Sequence, residues 1–353
     1  MFSVAGRRYD WTDVLLWAKA WGGWAQFEGS VRLGLACARR ADEDAEAAGP
    51  EADLVESAAN EFRYDRGLLS AEEMEAWLRR SGLTAEDWMA SVERAALKRW
   101  WLDEAAEILE AYPVADADLE AALWCDGVCS GELMRYAREL ASRAAVYARL
   151  REAAEDLDRA IDPEVRDLLA SLPQDVAGTV PELGRVALNE RLEHLARLEV
   201  SLHRFSAEVV TPRAIRDHIG AKSLEWIRVD CQLLGVPDEE RAREAALLVR
   251  ADGLDLSEVA RLARAGVHEK RVYLEDAEPL LRERLLSATK GDLIGPLRVG
   301  EEFLLVLVRD KVMPTEADQD IRRRAAGDVL AKGLAREVDA RVAWHEPICH
   351  DAP

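Results

Sequence analysis

The sequence predicts an α+β protein in which a large all-α N-terminal part is followed by a small β-α-α-β-α-β-β domain and a closing C-terminal helix. Three observations carry this. Up to about residue 210, nearly every periodic segment is rich in Ala, Leu, Glu and Arg, with few β-branched runs; that is the composition and period of helices. From Ser223 the texture changes to short alternating or continuous apolar runs broken by Gly and Pro, which read as strands. After Pro314 the helical period returns and lasts to about Trp344.

In the helical part, eight of the eleven Trp fall before residue 102, at Trp11, Trp17, Trp21, Trp24, Trp77, Trp88, Trp100 and Trp101. Spacings of 3, 4, 6 and 11 put them on helix faces, as large knobs between helices. Ser70 with Glu73 forms a capping box ahead of Met74, Trp77 and Leu78, and Gly82 stops that helix. Thr84 with Asp87 restarts a longer helix towards Ile108, ending at Pro113. A second helical block runs from about Asp116 to Ile161, and Pro163, Pro173 and Pro181 punctuate the next stretch. Thr211 before Pro212 begins a helix that ends at Gly220.

In the mixed part, Ile227, Val229, Cys231 and Leu233 alternate as in a half-buried strand closed by Gly235. Pro237 opens a helix to about Arg250, and Asp255 with Glu258 caps another to about Ala265. A short strand is predicted at Val272 to Leu274, then a helix from about Ala277 to Ala288, the turn Lys290-Gly291-Asp292, and a strand at about Gly295 to Val299. Gly300, Glu301 and Glu302 turn the chain into Phe303 to Val308, a continuous apolar run that reads as a strand covered on both faces.

At 353 residues, with 49% hydrophobic and 33% charged residues, the chain reads as a globular protein of two or three domains. Its formal net charge is −21, so no general basic field exists to hold nucleic acid. The first twenty residues carry no basic leader or cleavage site, and no stretch approaches the ~18 to 20 apolar residues that span a bilayer. No membrane association is expected, and the cytoplasm is the expected compartment. Cys37, Cys125, Cys129, Cys231 and Cys349 are an odd set with no disulfide framework, which suits a reducing environment. Cys125 and Cys129 share a helix face, but two thiolates fall short of the four ligands of a closed zinc site. His345, Cys349 and His350 could meet a metal, but a frayed terminus explains them better. There is no phosphate-binding glycine loop, Gly-x-Ser-x-Gly elbow or His-Glu-x-x-His, so no cofactor or metal is expected and no catalytic residue can be assigned.

The element order from 221 to 311, and above all Lys290-Gly291-Asp292-Leu293-Ile294-Gly295-Pro296-Leu297, resembles the parvulin (PpiC-type) peptidyl-prolyl isomerases with their "kGelsgPv" segment. The helical part resembles the N-terminal region of SurA-type chaperone-isomerases. Phe62-Arg63, Leu68, Ser70-Ala71-Glu72, Trp77-Leu78 and Gly82-Leu83-Thr84 look like the pattern of their cytoplasmic relatives, which are often found beside maturation systems for ribosomally made peptides. The resemblance covers about 50–112 and 220–345, and with it four regions are expected: 1–112, SurA-like helical; 113–220, helical, of unassigned role and largely outside the resemblance; 221–311, parvulin-like; and 312–353, a C-terminal helix packing back on the helical part.

Parvulins of this type carry a His in the first strand and another in the last. Here the corresponding positions hold Cys231 and Leu304 or Leu305, and none of the six His lies on these strands. By the resemblance, Cys231, Leu233, Phe303 and Leu305 are the expected substrate-binding residues, lining a small apolar hollow on adjacent strands. Burying an unpaired polar group costs ~1–3 kcal/mol, so a site that loses one imidazole has reason to lose the other. Three readings are open. The chain is a polypeptide-binding, degenerate isomerase acting as chaperone or maturation accessory; or a catalytic or obligatory subunit of a complex that modifies a precursor peptide, with a protein partner; or a scaffold without peptide specificity.

Overall fold

The computed structural model describes residues 1–43, 52–172, 176, 185–300 and 302–345. Pro173, Pro181, Glu301, Cys349 and His350 lie outside them. The chain is an α+β protein, mostly helical with two small antiparallel sheets. It divides into two units, one made of Met1–Phe205 with Leu334–Pro353 and the other of Ser206–Gly333.

The first unit opens on a hairpin of β1 (Phe2–Val4) and β2 (Arg7–Tyr9). Its two-residue turn places Ala5 at φ 48° and Gly6 at φ 81°, the left-handed pair that matches strand twist. β7 (Val342–Trp344) adds on the other side of β1, pairing Phe2 with Trp344, so the sheet order is β2-β1-β7. The helix expected to reach Trp344 therefore ends at Arg341, and Trp344 packs tilted against Phe2, with ring centres 5.2 Å apart, while staying 41% exposed.

Asp10 caps α1 (Trp11–Ala20) in a reciprocal box with Asp13. There follow α2 (Trp24–Glu43), α3 (Ala52–Asp65), α4 (Ala71–Ser81), α5 (Ala85–Trp100), α6 (Ala105–Ala111), α7 (Asp116–Cys129), α8 (Glu132–Ala153), α9 (Leu157–Ala170) and α10 (Arg185–Val209). Ser70 and Thr84 cap α4 and α5 through full capping boxes, and Gly82 closes α4 at φ 67°. The larger core of this unit buries Trp17, Trp77, Tyr136, Leu140 and Leu195, and a smaller one joins Ala36, Cys37, Leu97, Trp101 and Ile108. The regions expected at 1–112 and 113–220 thus share a core up to about residue 200, because α8 presents Ala137, Ala141, Ala144 and Ala148 to its neighbours and lets helices approach closely. Of the tryptophans, Trp17, Trp24, Trp77 and Trp101 are buried, whereas Trp100 is 51% exposed.

The second unit begins with α11 (Pro212–Ala221), capped by Thr211. Its sheet contains β3 (Arg228–Val236), β4 (Val267–Tyr273), β5 (Leu293–Val299) and β6 (Glu302–Val312), antiparallel in the order β4-β3-β6-β5. Between the strands lie α12 (Glu239–Arg250), α13 (Leu256–Ala263) and α14 (Pro279–Ser287). β3 is not half-buried. Val229 and Cys231 face the core under α14, while Leu234 and Val236 face the core under α12 and α13. Its apolar run is broken by Asp230 and Gln232, which hid the second face, and Arg309 satisfies the buried Gln232 at 2.7 Å. β4 starts five residues earlier than expected, at Val267. His268 to Arg271 are exposed and polar, the usual protection of an edge strand. α15 (Gln319–Arg341) starts where the Asp318 carboxylate accepts the Asp320 N–H, and its Ile321 and Ala325 pack on Trp226 and Ile219.

Candidate functional site

A cavity of about 590 Å³ opens in the first unit among α2, α5, α7 and α8. α2 supplies Phe27, Val31 and Gly34; α5 supplies Ser91, Arg94, Ala95 and Lys98; α8 supplies Glu132, Arg135 and Tyr136. Gly34 sits where a Cβ would come within 3.3 Å of the Arg94 Cβ, so the small residue sets how closely α2 and α5 approach. Arg94 grips Asp126 on α7 with two bonds, Nε to Oδ2 at 3.1 Å and Nη2 to Oδ1 at 2.5 Å. Burial works against the Arg94 charge, but the bond to Asp126 outweighs it and holds the guanidinium above its ordinary value.

The other ions of the lining are also partnered. Lys98 donates to Ser30 at 2.6 Å, and Arg135 bridges Glu132 and Glu139 at 2.6 and 2.5 Å. The Arg135 guanidinium lies 4.4 Å over the Tyr136 ring. The Tyr136 hydroxyl is fully buried and has no hydrogen-bond partner among the described residues, and burial raises its pKa. The lining is therefore mixed: Phe27, Val31, Phe62, Ala95 and Tyr136 give it apolar and aromatic surface beside the Arg94–Asp126 and Arg135–Glu132 pairs and a Lys98 ammonium met by Ser30, which suits holding a ligand by contact rather than proton transfer.

Cys129 lines the cavity, one helical turn beyond Cys125, whose thiol donates to the Asp87 carbonyl at 3.1 Å. The hydrogen bond between the two thiols, with burial, keeps Cys129 protonated. No group of three or more His, Cys, Asp or Glu among the described residues is arranged to hold a metal. His345 donates to or accepts from Ser3 at 2.7 Å. No helix among the described residues is long and apolar enough to cross a membrane.

The four residues expected at a sheet pocket lie on the adjacent strands β3 and β6, but on opposite faces. Cys231 and Leu233 belong to the core under α14, and Phe303 and Leu305 to the core under α12 and α13. Cys231 pairs with Val308, and Leu234, not Cys231, pairs with Leu305. A period of two makes this unavoidable: Leu304 shares a face with Leu233, so its neighbours Phe303 and Leu305 cannot. Cys231 and Leu305 are 3% and 0% exposed, and the Cys231 thiol donates to the Lys270 carbonyl at 3.3 Å while burial pushes its pKa up. The half-open apolar residues on the α14 side are Leu233, Val272, Leu281, Leu297 and Leu304, at the edge of that core. The helical cavity was not foreseen, since Arg94, Asp126 and Tyr136 lie on three helices whose juxtaposition no local pattern reveals.

No protein-family profile and no curated protein matches the sequence. Among solved structures, the chain is similar to the peptidylprolyl isomerase PrsA of Bacillus anthracis, at 14% identity over 54% of this chain and 95% of that one, with a TM-score of 0.29. PrsA of Bacillus subtilis matches at 14% identity over 60% of this chain and 84% of that one, with a TM-score of 0.22. The foldase protein PrsA of Streptococcus pneumoniae matches at 11% identity over 63% and 89%, with a TM-score of 0.26. Similarity at this level carries no assignment.

Proposed function

We propose that the chain is a polypeptide-binding protein with a parvulin-like sheet domain, which holds its client in the helical cavity and has little or no prolyl isomerase activity. In this reading it is a chaperone, or an accessory in the maturation of a ribosomally made precursor peptide. One observation carries it: Cys231 and Leu305 are sealed in opposite cores of the sheet, whereas Phe27, Phe62 and Tyr136 line an open cavity large enough for apolar side chains. Rotation about an X-Pro bond has a barrier of ~18–20 kcal/mol, and a catalyst for it needs a pocket that holds the proline ring. The described cysteines are all free and buried, as suits a reducing compartment.

Filling the cavity tests the reading. Ala95→Trp is expected to weaken binding of a permanently unfolded polypeptide, such as a reduced and carboxymethylated small protein, by about tenfold, the loss of one buried apolar contact area. Isomerisation of a proline-containing tetrapeptide should stay at the uncatalysed rate. Isomerisation at rates typical of a parvulin, abolished by Cys231→Ala, or unchanged polypeptide binding by Ala95→Trp, would overturn it.

A further inference from the structure

A second cavity of about 370 Å³ lies in the first unit between the β1–β2 hairpin, α8 and α10. Its polar lining is Arg7, Tyr9, Tyr147, Arg151, Glu152 and His194, over an apolar floor that includes Val4, Ala144 and Ala148. In a chain of net charge −21, the balance here is the reverse. Arg7 makes no hydrogen bond or ion pair among the described residues and lies 5.5 Å over the Tyr9 ring. Arg151 approaches Asp158 only to 3.7 Å, beyond hydrogen-bond distance. The acids nearby are already engaged: Glu152 is held by Arg341 at 2.7 Å, and Asp158 accepts the Tyr147 hydroxyl at 2.5 Å.

His194 adds an oriented dipole. Its Nε2 is 2.8 Å from the Tyr9 hydroxyl. Burial first, then the charges of Arg7 and Arg197, push its pKa down from 6.5 to about 3, so the ring is neutral. The tautomer in which Tyr9 donates to Nε2 carries the single ring proton on Nδ1, an atom with no partner among the described residues. The turn that places Arg7 beside Tyr9 holds Ala5, itself a lining residue, at φ 48°, a conformation L side chains rarely adopt. Such strain is common where a loop serves a ligand.

We propose that this cavity binds a small organic anion, with its carboxylate or phosphate on the Arg7 and Arg151 guanidiniums beside His194, and its apolar body over the floor of Val4, Ala144 and Ala148. It is separate from the helical cavity and does not depend on polypeptide binding there.

Calorimetry of the full chain with benzoate, phenyl phosphate and benzyl alcohol tests it. Both anions, or one of them, should bind at least tenfold more tightly than benzyl alcohol; which anion is preferred identifies carboxylate or phosphate as the headgroup. Arg7→Ala should weaken anion binding about tenfold, the loss of one charge-assisted contact. Arg8→Ala, on the opposite face of the strand, should leave it unchanged. Arg7→Glu should abolish benzoate binding and admit benzylamine. Equal binding of benzoate and benzyl alcohol, absence of binding by either anion, or anion binding that survives both Arg7 substitutions would overturn the proposal.

Discussion

Replacing Asp126 by alanine is expected to lower the unfolding free energy by about 3–5 kcal/mol, the cost of leaving one partner of a buried ion pair alone. Asp126 and Arg94 are each only 13% exposed, and their bond is two-pronged. Once the carboxylate is gone, the guanidinium keeps its charge and has no other carboxylate at bonding distance among the described residues. Urea unfolding followed by circular dichroism would show the loss as a lower midpoint at unchanged slope. The double variant Arg94→Met/Asp126→Leu should recover most of it, because a packed apolar pair removes the stranded charge. A double variant as unstable as Asp126→Ala would show that shape, not charge, dominates there.

Acid should destabilise the first unit through His194. An unfolded histidine takes up a proton near pH 6.5, whereas the native one does so only near 3. Above pH 6.5 both states are neutral and the full stability is present. As the pH falls below 6.5 the unfolded state gains a proton that the native state refuses, and stability declines by about 1.4 kcal/mol per pH unit, some 3 kcal/mol by pH 4. Other groups also titrate in this range, so the measurement is a difference. The stability curve of His194→Gln should be flatter than that of the parent between pH 6.5 and 4, the gap changing by that amount. Parallel curves would mean that His194 becomes charged in the folded protein.

Much of the helical architecture was readable because its signals are local. Ser70 with Glu73 and Thr84 with Asp87 mark the starts of α4 and α5 to the residue, and Thr211-Pro212 that of α11, but the helix expected to run on from Thr84 towards Ile108 stops at Trp100 and resumes as α6 at Ala105. The continuous run Phe303 to Val308 correctly reads as a strand covered on both faces. The same property of β3 was hidden by Asp230 and Gln232. Arg228 pairs with Asp230 from two residues back, but Gln232 is satisfied by Arg309 from 77 positions away. β1, β2 and β7 are three residues each, too short to show a period. Both cavities depend on non-local encounters: Arg94 with Asp126, and Tyr9 with His194 across 185 positions. The expected sheet pocket failed on register: the β3–β6 pairing puts Leu304, not Phe303 and Leu305, on the face of Cys231 and Leu233, and no local pattern fixes which of two alternating sets that is.

The pairing of Phe2 with Trp344 has a bearing on how the protein is made. At the roughly 5–20 residues per second of ribosomal synthesis, the partner of β1 emerges only some tens of seconds after β1 itself. Residues 206–333, by contrast, form one uninterrupted stretch and can complete their folding while the first unit still waits for its last strand. Throughout that interval the β1 edge is an open template for pairing, and nascent chains stalled before residue 342 should be more susceptible to proteolysis near the N-terminus than the released protein.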